Sequence, residues 1–248
     1  MLTEERYATI LRILDEKKAA TVLDLAKALD ASESTVRRDL TALHKSGRLC
    51  KVYGGATSID SSYSASEDDM QTKSDLHREQ KISIARKAAS LIQADDFVYL
   101  DAGSTTFCMI DFIQSENASF VTNGISHAAR LSARGFTVII LGGRIKAATE
   151  AVVGAGALKS LGNYNFTKGF FGTNGISVKS GFSTPDSGEG LVKEEALKRC
   201  AHAYILADCS KFNKVSSVTF AGLSHASIIT DVLPDRKYLN HTTIIEGV

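Results

Sequence analysis

The sequence predicts an α/β domain built on a largely parallel sheet, preceded by a small winged helix-turn-helix domain. Three observations predict it. The first is alternation: the short apolar runs FVYLD, ASFVT, FTVIIL, KGFFG, AYILA, SVTFA, SIIT and TIIE are separated by helix-like segments such as SHAARLSARG and GEGLVKEEALKRCA. Short runs that are apolar on both faces and joined by helices are the pattern of buried parallel strands. The second is TVLDLAKALDASESTVRRDLTALHKSG, two short amphipathic helices around a tight joint, followed by the glycine-centred run RLCKVYGGA,. The third is TSIDSSYSASEDDMQTKSD, rich in serine and acid and without an apolar period, which reads as a linker,. The expected boundaries are 1–57 for the first domain, 58–75 for the linker and 76–248 for the second domain.

Taken in order, Thr3 can cap a first helix on which Tyr7, Ile10, Leu11 and Leu14 recur at helical spacing,. Val22, Leu25, Ala26 and Leu29 form the inner face of a second helix, residues 30–32 turn, and Val36, Leu40 and Leu43 form the inner face of a third. Gly47 ends that helix, and the glycines of RLCKVYGGA allow a hairpin, the wing,. Beyond the linker, residues 76–93 read as a helix with Ile82, Ala85, Ala89 and Ile92 on one side. GAGALKSLG resembles a dinucleotide turn but has Lys159 where a third glycine belongs, so helix packing is the better reading,.

Composition narrows the function. With 44% hydrophobic residues, 23% charged residues and a net charge of +1, nucleic-acid binding has to come from a local basic surface,. No segment is apolar for the roughly 18 residues a membrane helix needs, and the charged N-terminus has no signal-like core, so no membrane partner and a cytoplasmic location are expected. Cys50, Cys108, Cys200 and Cys209 show no CxxC pairing, and no HxxxH or HExxH spacing occurs. Buried or incidental thiols, no metal and no cofactor are the expectation.

A helix-turn-helix pattern alone is weak, because any two amphipathic helices around a turn imitate it. Here the face of the third helix opposite Val36, Leu40 and Leu43 carries Ser34, Arg38, Thr41 and Lys45, with Arg37 beside it. Between Ser34 and Ser58, Arg37, Arg38, Lys45, Arg48 and Lys51 stand against the single acid Asp39. That asymmetry suits phosphate neutralisation and bidentate arginine contacts in a major groove. A solvated charged face is the bland alternative.

SESTVRRDLTALHKSGRLCKVYGGA resembles the signature of the DeoR family of bacterial transcriptional regulators. By matching positions the resemblance implies that Thr35, Arg37 and Arg38 lie on the DNA-reading helix. Lys51 and Tyr53 stand where the family more often has arginine and histidine, which implies a wing contact to phosphate only. The resemblance continues through DAGSTT, VTN, LGG, FFGTNGI and LADCSKF. It implies an effector domain similar in fold to ribose-phosphate isomerases, with phosphorylated sugars as the usual inducers. The run STPDSGEGLVKEEALKR resembles the branch of fructose- and lactose-operon repressors, which points to fructose 1-phosphate first and tagatose 6-phosphate second.

The residues suit such a ligand. YLDAGSTTFCMI reads as strand, tight loop and helix, and N–H groups at a helix start attract an anion. Loops at the C-terminal ends of parallel strands converge, so Asp101, Gly103, Ser104, Thr105, Thr106, Thr122, Asn123, Asp208 and Lys211 are the candidate effector residues,. On GEGLVKEEALKR, Glu194 and Lys198 can pair at i, i+4; a solvated face is the bland reading of Glu189, Lys193, Glu194, Glu195 and Lys198, with Lys198 as a second phosphate contact,.

Catalysis is not expected. By motif order FFGTNGISV falls where ribose-phosphate isomerases carry an aspartate-rich segment, and it has no carboxylate to act as a base,. An isomerase-like enzyme using Asp101, Asp208 or Glu194 is one alternative, and a DNA-binding module with a purely structural oligomerisation domain is another. The expected partners are double-stranded operator DNA, a sugar-phosphate effector and further copies of the chain, as a homodimer or homotetramer, because one small reading module buries little DNA.

Overall fold

The computed structural model describes residues 2–17, 19–46, 48–52, 54–58, 63–64 and 76–247. The helices of the N-terminal domain are α1 (Thr3–Lys17), α2 (Val22–Leu29) and α3 (Glu33–Lys45). The starts of α2 and α3 have a chemical cause. Thr21 accepts from the Asp24 N–H to cap α2, and Ser32 accepts from the Thr35 N–H to cap α3,. Asp30 closes α2 in the left-handed region at φ 47°, which turns the chain sharply into α3,. Ile10, Leu14, Leu25, Leu29, Val36, Leu40 and Leu43 then meet in one buried cluster with Leu49 and Ala56.

The strands β1 (Ala19–Thr21), β2 (Cys50–Val52) and β3 (Gly55–Thr57) form an antiparallel sheet in the order β1-β3-β2. The β2–β3 hairpin is the expected wing. Gly54 turns it at φ +76°, and a Cβ on Gly55 would run into the Ala20 carbonyl of β1,. Gly47 and Tyr53 lie outside the described residues, and the last described residue after α3 is Ser46, its C-cap. Most of 58–75 also lies outside them, but β4 (Tyr63–Ser64) pairs in parallel with a strand of the second domain, β14 (Val215–Ser216). The expected linker therefore contains a short strand, set by partners too distant in sequence to be seen.

The second domain holds a seven-stranded sheet in the order β17-β16-β13-β10-β5-β6-β7. Its strands are β5 (Phe97–Leu100), β6 (Ser119–Thr122), β7 (Thr137–Ile140), β10 (Phe166–Gly172), β13 (Cys200–Leu206), β16 (Ser227–Thr230) and β17 (Ile244–Glu246), and every pairing is parallel. Successive residues of one strand feed opposite cores, as the pleat requires. Tyr99, Val121, Phe171, Ile205 and Ile228 pack on one face, and Val98, Leu100, Phe120, Phe170, Leu206 and Ile229 on the other. The second face is covered by α4 (Arg78–Ala89), α5 (Ser104–Met109) and α6 (Ile125–Ala133). The first is covered by α7 (Ala155–Leu161) and α8 (Ser187–Lys198).

SVTFA departs from the expected sheet. As β15 (Val218–Ala221) it joins β11 (Gly175–Ser177) and β12 (Gly181–Thr184) in a separate three-stranded antiparallel sheet. The hairpin of β8 (Arg144–Lys146) and β9 (Ala151–Val153) also interrupts the alternation. α4 is shorter than expected, because residues 90–93 leave the helix and the Gln93 N–H is taken by Asp96. GAGALKSLG does pack as a helix, with Gly156 close against Gly143.

Candidate functional site

The exposed face of α3 comes first in the chain. Ser34, Arg37 and Arg38 are exposed and Thr35 and Thr41 half-buried; Lys45 closes the helix with its side chain outside the described residues. Arg37 pairs with Glu33, and Lys51 on the wing donates to Thr41 Oγ1 at 3.1 Å, which ties the wing to the helix. Asp39, the acid that opposed this basic run, is turned inward. Arg6 of α1 grips it from two nitrogens at 2.7 and 3.0 Å, so the outer face keeps its positive charge.

At the C-terminal end of the sheet, the loop after β5 is pinned from several sides. The Asp101 N–H donates to the Phe170 carbonyl, and the Asp101 carboxylate accepts from the Gly172 N–H at 3.0 Å. Lys193 of α8 forms a short, fully buried ion pair with the same carboxylate. Burial pushes the Asp101 carboxyl up from its ordinary range, and Lys193 opposes the push,. Asn123 accepts from the Ala102 N–H at 2.8 Å. Thr106 donates to the carbonyl oxygens of Asp101 and Gly103, and the Thr122 hydroxyl accepts from the Gly124 N–H. Thr106, Thr122 and Asn123 thus shape the loop. Among the described residues no side chain caps the start of α5 after Gly103, so its first-turn N–H groups, beside Ser104 and Thr105, can face an anion,.

Two residues of this group escaped the sequence reading. His127 of α6 is buried with Nε2 3.1 Å from the Gly103 carbonyl oxygen and 3.2 Å from the Thr106 hydroxyl, and burial lowers its pKa to about 4. Lys193 stood in a cluster whose bland reading was a solvated face. The signal was present, since Glu189, Val192, Lys193, Ala196 and Leu197 follow core-facing helical spacing and all are buried,. Glu189 is held by Lys146 at 3.1 Å and by Thr149. Lys198 lies apart from this group: it is exposed and paired with Glu194 at 2.6 Å, as the i, i+4 spacing allows.

Asp208 and Lys211 belong to a second group, beyond β10 and under the N-terminal domain. Asp208 is buried and its carboxyl is depressed to about 2: burial works against ionisation, but Lys211, His77 and the bonds from Ser210 outweigh it. Beside it Cys209 is joined to Cys50 of the wing by a disulfide with Cα atoms 6.1 Å apart. This corrects the expectation of incidental thiols for that pair; Cys108 and Cys200 are free and half-buried. His44 of α3 faces Asp231 across the same seam at 3.6 Å, and Gln80 of α4 donates to the Lys51 carbonyl at 2.7 Å.

A DeoR-like helix-turn-helix domain matches residues 6–62, and the DeoR C-terminal sensor domain matches residues 76–232. The chain belongs to the DeoR family. An uncharacterised HTH-type transcriptional regulator FruR of Bacillus subtilis is 42% identical over 97% of this chain and 96% of its own length. The lactose phosphotransferase system repressor of Streptococcus mutans is 31% identical over 96% of this chain and 95% of its own length. A putative aga operon repressor of Escherichia coli O157:H7 is 32% identical over 86% and 80%. Among solved structures, a ribose 5-phosphate isomerase A from Neisseria gonorrhoeae superposes with a TM-score of 0.42 at 16% identity, covering 60% of this chain and 57% of that one. That likeness is too slight to carry chemistry from one protein to the other. In this DeoR chain the loop after β5, α8, Cys209 and Asp231 fall within the sensor match, and His44, Cys50 and Lys51 of the seam within the DNA-reading match. Among the described residues no helix is long and apolar enough to cross a membrane.

Proposed function

We propose that this DeoR protein is a cytoplasmic repressor of a sugar-utilisation operon that leaves its operator when a phosphorylated ketohexose, fructose 1-phosphate before tagatose 6-phosphate, binds the sensor domain. The observation that carries this reading is Lys193. It is a buried ammonium beside an uncapped helix start, and among the described residues Asp101 is its hydrogen-bond partner. A sugar phosphate fits both halves of that arrangement: phosphate oxygens accept from Lys193 and the first-turn N–H groups, while hydroxyls donate to Asp101. The names of the FruR and lactose-system relatives support a sugar-linked regulator. Ser104, Thr105, Asp101, Gly103 and Lys193 are the proposed effector contacts, with Thr106, Thr122 and Asn123 positioning the loop.

Ser34, Thr35, Arg37, Arg38, Thr41, Lys45 and Lys51 are the proposed DNA-contacting residues, presented by a homo-oligomer. β7 supports self-association, since it ends the sheet with Ile139 and Ile140 exposed and Ile145 of β8 exposed nearby,. A ligand switches DNA binding only by favouring one arrangement of these parts over another. The seam gives it a route, because wing and α3 rest on strand ends next to the loop.

The test is a gel-shift titration on the DNA upstream of the protein's own gene, at fixed salt, with fructose 1-phosphate, tagatose 6-phosphate and the free sugars. Release by one phosphate but not by its free sugar is expected. Arg38→Ala should weaken DNA binding by about 1–3 kcal/mol if the arginine reads a base edge, with ligand binding unchanged. DNA binding indifferent to every phosphate would sink the effector assignment, and turnover of any of them would favour the isomerase-like alternative.

A further inference from the structure

The disulfide is a second covalent connection between the two domains, beside the chain itself. Cys50 opens β2 of the wing, Cys209 opens a one-turn 3-10 helix, Cys209–Lys211, just past the C-terminal end of β13, and 159 residues separate them. Both side chains are fully buried, so a reagent in solvent reaches them only when the seam opens. Cys108 on α5 and Cys200 on β13 are free.

The seam around the bond is imperfectly matched. The Gln80 amide donates across it to the Lys51 carbonyl at 2.7 Å, but His44 Nε2 meets Asp231 only at 3.6 Å. Burial lowers the pKa of His44, and burial with the charge of Asp208 pushes the Asp231 carboxyl up to about 7, so these two do not make a firm ion pair. Nδ1 of His77 and one carboxylate oxygen of Asp231 are buried without a hydrogen-bond partner among the described residues. Water satisfies such atoms once a seam opens, so both favour opening.

We propose that Cys50 and Cys209 are a reversible thiol–disulfide switch: oxidised, they clamp the reading head to the sensor domain, and reduced, they let the seam open and the head turn, which changes its fit to operator DNA. The bond supplies the constraint that the polar contacts lack, because a cross-link over so long a stretch of chain removes open arrangements from the ensemble. With the thiols reduced, the unmatched atoms of His77 and Asp231 count against docking and nothing covalent opposes them. The consequence for DNA rests on the reading of α3 and the wing given above; the clamp itself does not.

The step is exchange with a low-molecular-weight disulfide. A donor nitrogen of His44 lies within 4.8 Å of both sulfurs, and the imidazole, kept neutral by burial, can take a thiol proton. The thiolate so formed attacks the small disulfide, making a mixed disulfide and releasing one small thiolate, which recovers the proton. The second protein sulfur then displaces the other small thiol and carries its own proton out with it. Two protein thiols and one small disulfide become one protein disulfide and two small thiols, with the electrons conserved. A dithiol runs the exchange backwards and is itself oxidised to a disulfide.

The experiment equilibrates the full chain in buffers of reduced and oxidised glutathione, quenches in acid, and counts alkylated thiols by mass spectrometry. The count should fall from four to two as the buffer becomes oxidising, with Cys50 and Cys209 linked in the digest, and return to four with dithiothreitol. Hydrogen exchange reads docking: amides of β2 and of Cys209–Lys211 should exchange about tenfold faster or more in the reduced chain, with those of β5 and β10 unchanged. In a gel shift on the DNA upstream of the protein's own gene, the affinities of the two forms should differ by about tenfold or more. Cys209→Ser should behave as the reduced chain in every buffer, with circular dichroism to confirm its fold, and the comparison of the two forms of the unaltered chain needs no variant. Four thiols at every glutathione ratio, a linkage between other cysteines, equal exchange in both forms, or operator affinity indifferent to the redox state overturns the proposal. If neither form bound the DNA, the operator reading would fall, and the thiol count and exchange rates would still decide the clamp.

Discussion

Two neighbouring regions at the same end of the sheet solve their polar bookkeeping differently. In the loop after β5, Asp101 meets Lys193 and the Gly172 N–H, Asn123 meets the Ala102 N–H, and Thr106 meets two carbonyls, all within one domain. At the seam below the wing, His44, Cys50, Cys209 and Asp231 come from two domains, and among the described residues one buried atom each of His77 and Asp231 has no hydrogen-bond partner. The first region draws all its partners from the sensor domain. The second is completed only when the reading head docks, which suits a joint whose state can change.

The largest expected effect breaks the first region. Lys193→Ala leaves the Asp101 carboxylate buried without its counter-charge, a situation that costs about 3–5 kcal/mol. Denaturant unfolding of the variant should show that loss, and Asp101→Asn added to it should restore part of the stability. A Lys193→Ala chain as stable as the parent would mean that the ion pair does not hold the loop together.

His127 gives the next effect, and its sign is fixed by burial. Its folded pKa of about 4 lies below the ordinary 6.5. The unfolded chain therefore binds the proton first as pH falls, so the stability His127 contributes is complete above about 6.5 and is lost as pH falls to about 4. The slope reaches about 1.4 kcal/mol per pH unit at most. His127→Asn should flatten the unfolding free energy across that window, whereas an unchanged slope would place its origin elsewhere, for example in the seam.

The same contrast explains what the sequence made legible. Local period was enough for the three N-terminal helices and their buried faces, and for seven of the eight apolar runs as strands of one parallel sheet. SVTFA was read into that sheet because its composition matches the others; its pairing with β12 is decided by register with a distant hairpin. DAGSTT stood out as a loop because strand, glycine and helix start are adjacent in the chain. The division of labour within it was hidden, since only folding turns the Thr106 hydroxyl toward carbonyls and brings Lys193 to Asp101 across 92 residues. The seam was less legible still. Cys50 and Cys209 are 159 residues apart and share no motif spacing, so nothing local marks them as neighbours.

The smallest expected effect sharpens the contrast between two lysines of one helix. Lys193 and Lys198 differ by five residues on α8, which turns them onto different faces,. Lys198 forms an exposed pair with Glu194, and the carboxylate hydrogen bond of that pair raises its pKa. Exposed pairs of this kind contribute little and are screened by salt. Lys198→Ala should therefore leave unfolding midpoint, DNA affinity and release by sugar phosphate where they were, measured beside Lys193→Met, which removes the charge while keeping much of the buried volume. Isothermal titration with a sugar phosphate that proves to release DNA in the gel shift is the decisive readout. Binding lost in Lys193→Met and kept in Lys198→Ala assigns recognition to the buried face of the helix. The reverse pattern would move the phosphate to the exposed face and leave the ion pair with Asp101 a purely structural role.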